Sequence, residues 1–359
     1  MRQIWITKAG SPEVLQVREA PDPTPGPGEV RIRVRAAGIN FADLMARVGL
    51  YPDAPKIPCV VGYEVSGVID ALGAGATRFA VGDRVFGMPR FGGYTDTLAI
   101  SEAQVFRMPD KMTFEEAAAL PVVYLTAHHM MLFTGNLRRK SRVLIHSAAG
   151  GVGLAAIELA KTRDCEIFGI ASAGKLEFLR ARGCQHPIDS AADYVAEVNR
   201  VTGGKGVDLV LDPVGGKSWS QGYALLAPAG RLVVFGLSAA ASGKTRNVLH
   251  ALLQLTKIKS YSPRALMDDN KAISGTNMGH LFGELAMLAE QFEALIALYE
   301  AGHIHPHVDR SFAFSEAAAA HHYLHDRKAK GKVLLVPDGV TPAMGAQSLH
   351  GANPAADQP

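Results

Sequence analysis

The stretch Arg142-Val-Leu-Ile-His-Ser-Ala-Ala-Gly-Gly-Val-Gly153, followed by LAAIELAKTR, constrains this chain more than any other. A short β-rich run feeds a turn of small residues, and the turn opens directly into a helix. Backbone N–H groups at such a helix start have no intrahelical acceptor, and the helix dipole favours an anion there. Gly150 allows the backbone to approach a pyrophosphate, and Gly153 permits close packing of helix on strand. Ala148 stands where a GxGxxG motif has its first glycine, and the strand–turn–helix context restores the reading. The pattern then repeats as EIFGIAS, GKLEFLRARG, HPID, AADYVAEVNRVTGG, GVDLVLDPVGG and GRLVVFG. Strands separated by helices of this length predict βαβ crossovers and a parallel sheet.

Cofactor choice is read at the end of the second strand. A dinucleotide without a 2′-phosphate calls for a carboxylate about 20 residues beyond the glycines. Here EIFGIAS runs into Ser172-Ala-Gly-Lys175, a hydroxyl and an ammonium suited to a 2′-phosphate. NADPH is the expected cofactor, and a solvated lysine at a helix start is the alternative role for Lys175.

The first third has a different texture. EVRIRVRAA alternates by two, and YEVSGVIDALGAG, VGDRVFGMP and YTDTLAI follow between glycines and prolines, predicting an antiparallel, barrel-like unit. Thr113-Phe-Glu-Glu116 is a capping box ahead of the apolar AAALPVVYLTAHHMML, a long helix or helix pair. ELAMLAEQFEALIALYEAGH is an amphipathic helix, and KVLLVP is a final strand. At 359 residues the chain suggests two domains. Its net charge of +3 is scattered, so neither a nucleic-acid nor a membrane surface is implied. Cys59, Cys165 and Cys184 have no disulfide or metal spacing, which fits a reducing cytoplasm. No apolar run reaches the length of a membrane span, MRQIWITKAG lacks the order of a secretory signal, and 339–359 reads as a disordered tail.

GINFADLMARVGLYP, VVGYEVSGVI, VGDRVFG, MTFEEAAALPVVYLTA, SAAGGVGLAAIELAK, GVDLVLDPVGG and GKVLLVP together resemble the medium-chain dehydrogenase/reductase superfamily. Within it the resemblance is to the zinc-independent quinone oxidoreductase branch. NFADLMARVGLY, HPID with DYVAEV, and AGHIHPHVD point to the subgroup named for the synaptic vesicle membrane protein. The resemblance implies an α/β chain. A GroES-like barrel domain would span 1–123 and 280–338, and a doubly wound Rossmann domain 124–279. It also implies a homodimer joined through the Rossmann domains.

Zinc-dependent members carry a cysteine in the first of these segments and a histidine in GYE; Asn40 and Tyr63 stand there, so no metal is expected. By resemblance Asn40 lies beside nicotinamide and substrate, Tyr51 matches a proton donor of enoyl reductases, and Tyr63 is a cleft wall and weaker donor. Asp43 anchors the local loop. Thr126 matches a nicotinamide contact, Gly150, Gly151, Val152 and Gly153 the pyrophosphate loop, Ser172 and Lys175 the 2′-phosphate site. Phe235 and Gly236 match the sheet edge near the nicotinamide, and Lys332 the segment returning to the cofactor. Ser190 replaces an adenosine-contacting tyrosine, a role Tyr194 can take.

The clusters around His303, His305 and His307 and around His321, His322 and His325 are expected to be surface histidines, with His128 and His129 in a helix near the cleft. With no His–Asp relay or Ser–Tyr–Lys set apparent, oxidation of a simple alcohol is disfavoured. Hydride transfer to a quinone or an α,β-unsaturated carbonyl asks the protein only for position, hydrogen bonds and a proton. Two alternatives stand beside it. One is an enoyl-thioester reductase using a basic patch of Lys244, Arg246, Lys257, Lys259 and Arg264. The other is a non-catalytic NADPH-binding scaffold.

Overall fold

A computed structural model describes residues 1–340 apart from 242 and 246. Arg246 of the basic patch and residues 341–359 of the expected tail therefore lie outside the described residues.

The alternation in EVRIRVRAA becomes the long strand Glu29–Gly38, which turns Val30, Ile32 and Val34 inward. Its outward Arg31 and Arg33 share Asp70 on the neighbouring strand Val65–Leu72, at 2.7 and 2.6 Å. Strand Glu29–Gly38 is the spine of a barrel-like sheet. It pairs antiparallel with Val65–Leu72, Thr97–Ser101 and Lys332–Val336, and the last of these brings the C-terminal segment home. Strand Val308–Ala313 then adds in parallel to Lys332–Val336. A smaller sheet places Arg2–Ile6 between Leu15–Glu19 and Cys59–Val60.

The second unit is a six-stranded parallel sheet, as the strand–helix alternation predicts. From one edge its strands are His186–Asp189, Glu166–Ala171, Arg142–Ile145, Val207–Asp212, Leu226–Val234 and Ala272–Gly275. Sequence order reverses between Arg142–Ile145 and Val207–Asp212. Ligands of open parallel sheets bind in the crevice outside the carboxyl ends at such a reversal. Helix Gly151–Lys161 starts at that crevice.

The apolar run after the capping box is a helix pair, Phe114–Ala119 and Pro121–His128, broken at Leu120–Pro121. The amphipathic helix Leu285–Glu300 packs Phe292 on Phe86 and Phe106, with ring centroids 5.6 and 4.4 Å apart.

Two histidine expectations are corrected. His321 is fully buried, because helix Ala317–His325 turns Ala317, Ala320 and His321 inward at helical spacing. Its Nε2 lies 3.3 Å from Tyr94 Oη. His307 and His325 are half-buried rather than superficial, while His303 and His305 are exposed. His128 and His129 are buried against helix Leu285–Glu300, where both bond Gln291, at 3.1 and 3.3 Å.

Candidate active site

Helix Phe41–Arg47 starts with an unusual division of labour. The Asp43 carboxylate accepts the Asn40 N–H at 2.7 Å and the Gly62 N–H at 3.0 Å, fixing the helix start and the neighbouring loop. The Asn40 side chain is thereby free for long-range partners. Its Oδ1 accepts from Lys332 Nζ at 2.6 Å, and its Nδ2 donates to Glu64 Oε1 at 2.8 Å. Lys332 Nζ also meets Glu64 Oε1 at 2.5 Å, an ion pair with side chains 3% and 0% exposed. Glu64 Oε2 accepts the Val122 N–H at 2.7 Å, in the first turn of helix Pro121–His128. A burial this complete is tolerated because every charged oxygen has a partner.

Asp43 is fully buried, and desolvation raises its carboxyl to about 7, against the opposing pull of the Asn40 N–H and the Lys332 charge. Tyr51 and Tyr63 stand edge to face with centroids 6.4 Å apart, and Phe91 closes on Tyr63 at 5.3 Å. Burial raises both phenols above their ordinary range, with Asp53 adding to the effect on Tyr51 and Asp43 to that on Tyr63. Among the described residues no hydrogen bond of ordinary geometry reaches the Tyr63 hydroxyl. The Tyr51 hydroxyl faces Gly279, where an added Cβ would stand 3.2 Å from it. Beside it, Asp53 receives His280 Nε2 at 3.0 Å and Asn277 Nδ2 at 3.4 Å, tying the 277–280 turn of one unit to the 51–53 loop of the other.

The glycine loop is next to this cluster. Gly150 bridges in parallel to Gly331, one residue before Lys332. A Cβ on Gly151 would press 2.9 Å from Val123 and 3.8 Å from Lys332 Cδ. A Cβ on Gly153 would strike Ala148 Cα at 2.6 Å, the close helix–strand packing expected of it. Val152 is half-buried in the same turn. Thr126, 7% exposed, sits one helical turn beyond Val122. His146 and Asp212 end the two strands flanking the sheet reversal, with Nε2 and Oδ2 3.7 Å apart and no hydrogen-bond partner for either atom. Burial lowers the His146 imidazole below its ordinary value. Tyr194 covers that pair edge-on at 5.1 Å and donates to Gln221 Oε1 at 3.1 Å. The Phe235 N–H donates to Asp212 O at 3.2 Å, and Gly236 packs on Pro213, at the same strand ends.

Ser172 is exposed, and Lys175 reaches the carbonyls of Arg327 and Ala329 at 2.7 and 2.5 Å. Lys175 thus spans from the Rossmann sheet to the returning C-terminal segment. Asn40, Lys332 and the glycine loop come together, the Tyr51–Tyr63 pair is tied to Asn40 through Asp43, and Thr126 follows Val122 on the same helix, with Ser172, Lys175 and Tyr194 on the strand ends of the Rossmann sheet. The central residue missing from the expected set is Glu64. A glutamate inside the apolar run VVGYEVSGVI is the signal that points to it. Among the described residues no three His, Cys, Asp or Glu side chains are placed to hold a metal ion.

These features match known proteins in order along the chain. Residues 26–110 match the model described as alcohol dehydrogenase GroES-like domain, and 182–335 the model described as zinc-binding dehydrogenase. The synaptic vesicle membrane protein VAT-1 homolog of Homo sapiens is 42% identical over 325 residues, covering 90% of this chain and 82% of that protein. This chain is a medium-chain dehydrogenase/reductase. Its relatives within the family include a quinone oxidoreductase of Pseudomonas aeruginosa, 34% identical over 94% of this chain and 99% of its own length. The solved Escherichia coli quinone oxidoreductase complexed with NADPH superposes with a TM-score of 0.83, at 28% identity over 94% of this chain and 100% of that one. The dehydrogenase/reductase thus has a GroES-like barrel and a Rossmann domain, the fold of an oxidoreductase family. No helix among the described residues is long and apolar enough to cross a membrane.

Proposed function

We propose that this protein is an NADPH-dependent reductase of quinones or α,β-unsaturated carbonyls, without a catalytic metal. The observation that carries the reading is a donor set in which Asn40 and Lys332 lie beside the glycine turn and the Tyr51–Tyr63 pair is tied to them through Asp43, which accepts the Asn40 and Gly62 N–H groups. It comprises an amide, a buried ammonium and two protonated phenols. Such a set stabilises an oxygen that gains negative charge, which is what reduction of an activated carbonyl produces. The quinone oxidoreductase among the relatives supports the same acceptor class.

The fit to a dinucleotide rests on the cradle itself. The glycine turn has no room for a Cβ at Gly151 or Gly153, and it presents the N-terminus of an eleven-residue helix. In this reading Gly150, Gly151, Val152 and Gly153 hold the pyrophosphate, Ser172 and Lys175 the 2′-phosphate, and Tyr194 the adenosine. Asn40, Thr126, Phe235, Gly236 and Lys332 orient the nicotinamide end. NADPH supplies the hydride when bound. Tyr51, a phenol that is protonated at neutral pH and that burial pushes further up, gives the proton and recovers it from solvent, with Tyr63 as cleft wall and second donor. The working units are 1–123 with 280–338, and 124–279. The sheet edge Ala272–Gly275 is available to continue the sheet into a second copy.

An NADPH-oxidation assay against 1,2- and 1,4-quinones, small enones and trans-2-enoyl thioesters tests the proposal. Turnover of quinones or enones is expected. NADPH binding with no turnover of any acceptor refutes the reductase reading and leaves the scaffold.

A further inference from the structure

Glu64 touches three separate elements of the site, and the proposed chemistry assigns it nothing. It is fully buried at the start of strand Val65–Leu72. Oε1 takes the Lys332 ammonium from the C-terminal strand and the Asn40 amide from the first helix; Oε2 takes the Val122 N–H of the helix that also carries Thr126. Space is reserved for it: a Cβ on Gly38 would stand 2.6 Å from Glu64 Cδ and 2.7 Å from Cγ. An ammonium has three donors, and Glu64 and Asn40 occupy two of them. The third meets no partner among the described residues.

We infer that Glu64 is a positioning residue of the reductase: it keeps Lys332 charged and aimed, and locks Asn40 and helix Pro121–His128 to the same point. The inference rests on the hydride-transfer reading above. Its physical content is electrostatic. A buried cation deprived of its counter-charge releases its proton more readily, so the site should lose a donor as pH rises. Other titrating groups face this cluster. Asp43 lies on the first helix, with Tyr94 and Tyr63 close to it. From the strand side His307 offers only its carbonyl, 3.0 Å from the Lys332 N–H, while its ring turns to Arg182. Removing the Glu64 charge also makes Asp43 easier to ionise, which moves any Asp43 effect toward acid. A new alkaline limb therefore separates Lys332 from Asp43.

The test is E64Q, which keeps an acceptor for Val122 N–H and removes the charge. NADPH affinity is read by fluorescence titration, and kcat/KM with the best quinone of the panel, both from pH 6 to 9. Expected is a loss of about tenfold or more in kcat/KM, the scale on which orienting groups act. The loss should deepen as pH rises, with NADPH affinity following the same limb. E64D, with charge kept, should lose rate without gaining the limb. E64Q/K332Q, which buries no charge, should recover stability but not rate, and should have no limb. A wild-type pH profile in E64Q, with or without lowered stability, overturns the inference, as does a limb that persists in E64Q/K332Q. Should E64Q not fold, E64D decides: a rate within twofold of wild type overturns the inference. A wild type that binds NADPH but turns over no acceptor refutes the reductase reading separately, and the binding titrations still read the Glu64–Lys332 coupling.

Discussion

Asp43→Asn gives the most quantitative test of the site's electrostatics. The Asp43 carboxyl sits at about 7 in the folded protein against an ordinary value of 3.8, because it is wholly desolvated. A carboxyl raised on folding binds its proton more tightly folded than unfolded. Its stabilising contribution is therefore complete below pH 3.8, falls as pH rises, and is exhausted above about 7. Between pH 5 and pH 8 the folded group titrates while the unfolded group is already ionised. At 1.36 kcal/mol per unit, the two units between pH 5 and about 7 correspond to a penalty of ~3 kcal/mol. Asparagine escapes that titration but offers one acceptor oxygen where Asp43 accepts the N–H groups of both Asn40 and Gly62. One buried N–H is left unmet, at a cost of about 1–3 kcal/mol. D43N should thus be less stable than wild type at pH 5, and the gap should close or reverse by pH 8. Urea denaturation followed by tryptophan fluorescence measures it. Trp5 lies in the barrel unit with Asp43, and Trp219 can be replaced by Phe in both proteins so that Trp5 alone reports. A gap that stays constant with pH, or widens toward alkali, refutes a raised Asp43.

Tyr51→Phe should lower kcat by about a hundredfold or more with NADPH affinity held within about twofold, the range of a lost general acid; unchanged turnover would make Tyr51 a wall of the cleft. Lys175→Glu should cut the preference for NADPH over NADH by at least about tenfold, or about 1.4 kcal/mol, in paired binding titrations. An unaltered ratio would confine Lys175 to its bonds with the carbonyls of Arg327 and Ala329. Gly38→Ala forces a methyl against the Glu64 carboxylate and should cost about 1–3 kcal/mol in denaturant unfolding, while weakening turnover in the direction of E64Q. Wild-type kcat/KM in a destabilised G38A would mean that the cluster tolerates displacement.

The fold was legible wherever local pattern and burial coincide. The period-two alternation of EVRIRVRAA reappears as a strand with Val30, Ile32 and Val34 inside, and the glycine turn opens the helix it announces. His321 was misjudged for a physical reason. Adjacent histidines on a helix point in different directions, and only the packing of Ala317 and Ala320 decides which one is buried. Lys175 reads in the sequence only as a cation after the second strand, and its contacts with residues 152 and 154 positions away in sequence depend on how the C-terminal segment returns.

Glu64 shows why the site's centre escaped the sequence. Asn40, Glu64, Val122 and Lys332 meet within hydrogen-bonding distance across up to 292 residues of chain, and no periodicity links them. What marks such a residue is a conflict between levels. A glutamate in an apolar run costs several kcal/mol if unpaired, so its presence there requires partners from elsewhere. Two of the partners it found are Asn40, which the resemblance sets beside the nicotinamide, and Lys332, which it sets on the segment returning to the cofactor. An interior charge was thus accommodated only where it also orders Asn40 and Lys332. The same logic separates Glu64 from Glu158, a mostly buried carboxylate that bonds the Tyr124 hydroxyl and the His305 N–H and has no cation in hydrogen-bond contact. Burial raises the Glu158 carboxyl, against the downward pull of the Tyr124 and His305 hydrogen bonds, so this group acts as a structural cross-link and not as the partner of a buried cation. Of the two glutamates buried among the described residues, the one that holds a cation is the one whose partner Lys332 neighbours the glycine turn, and charge at that point is what the proposed hydride transfer can use.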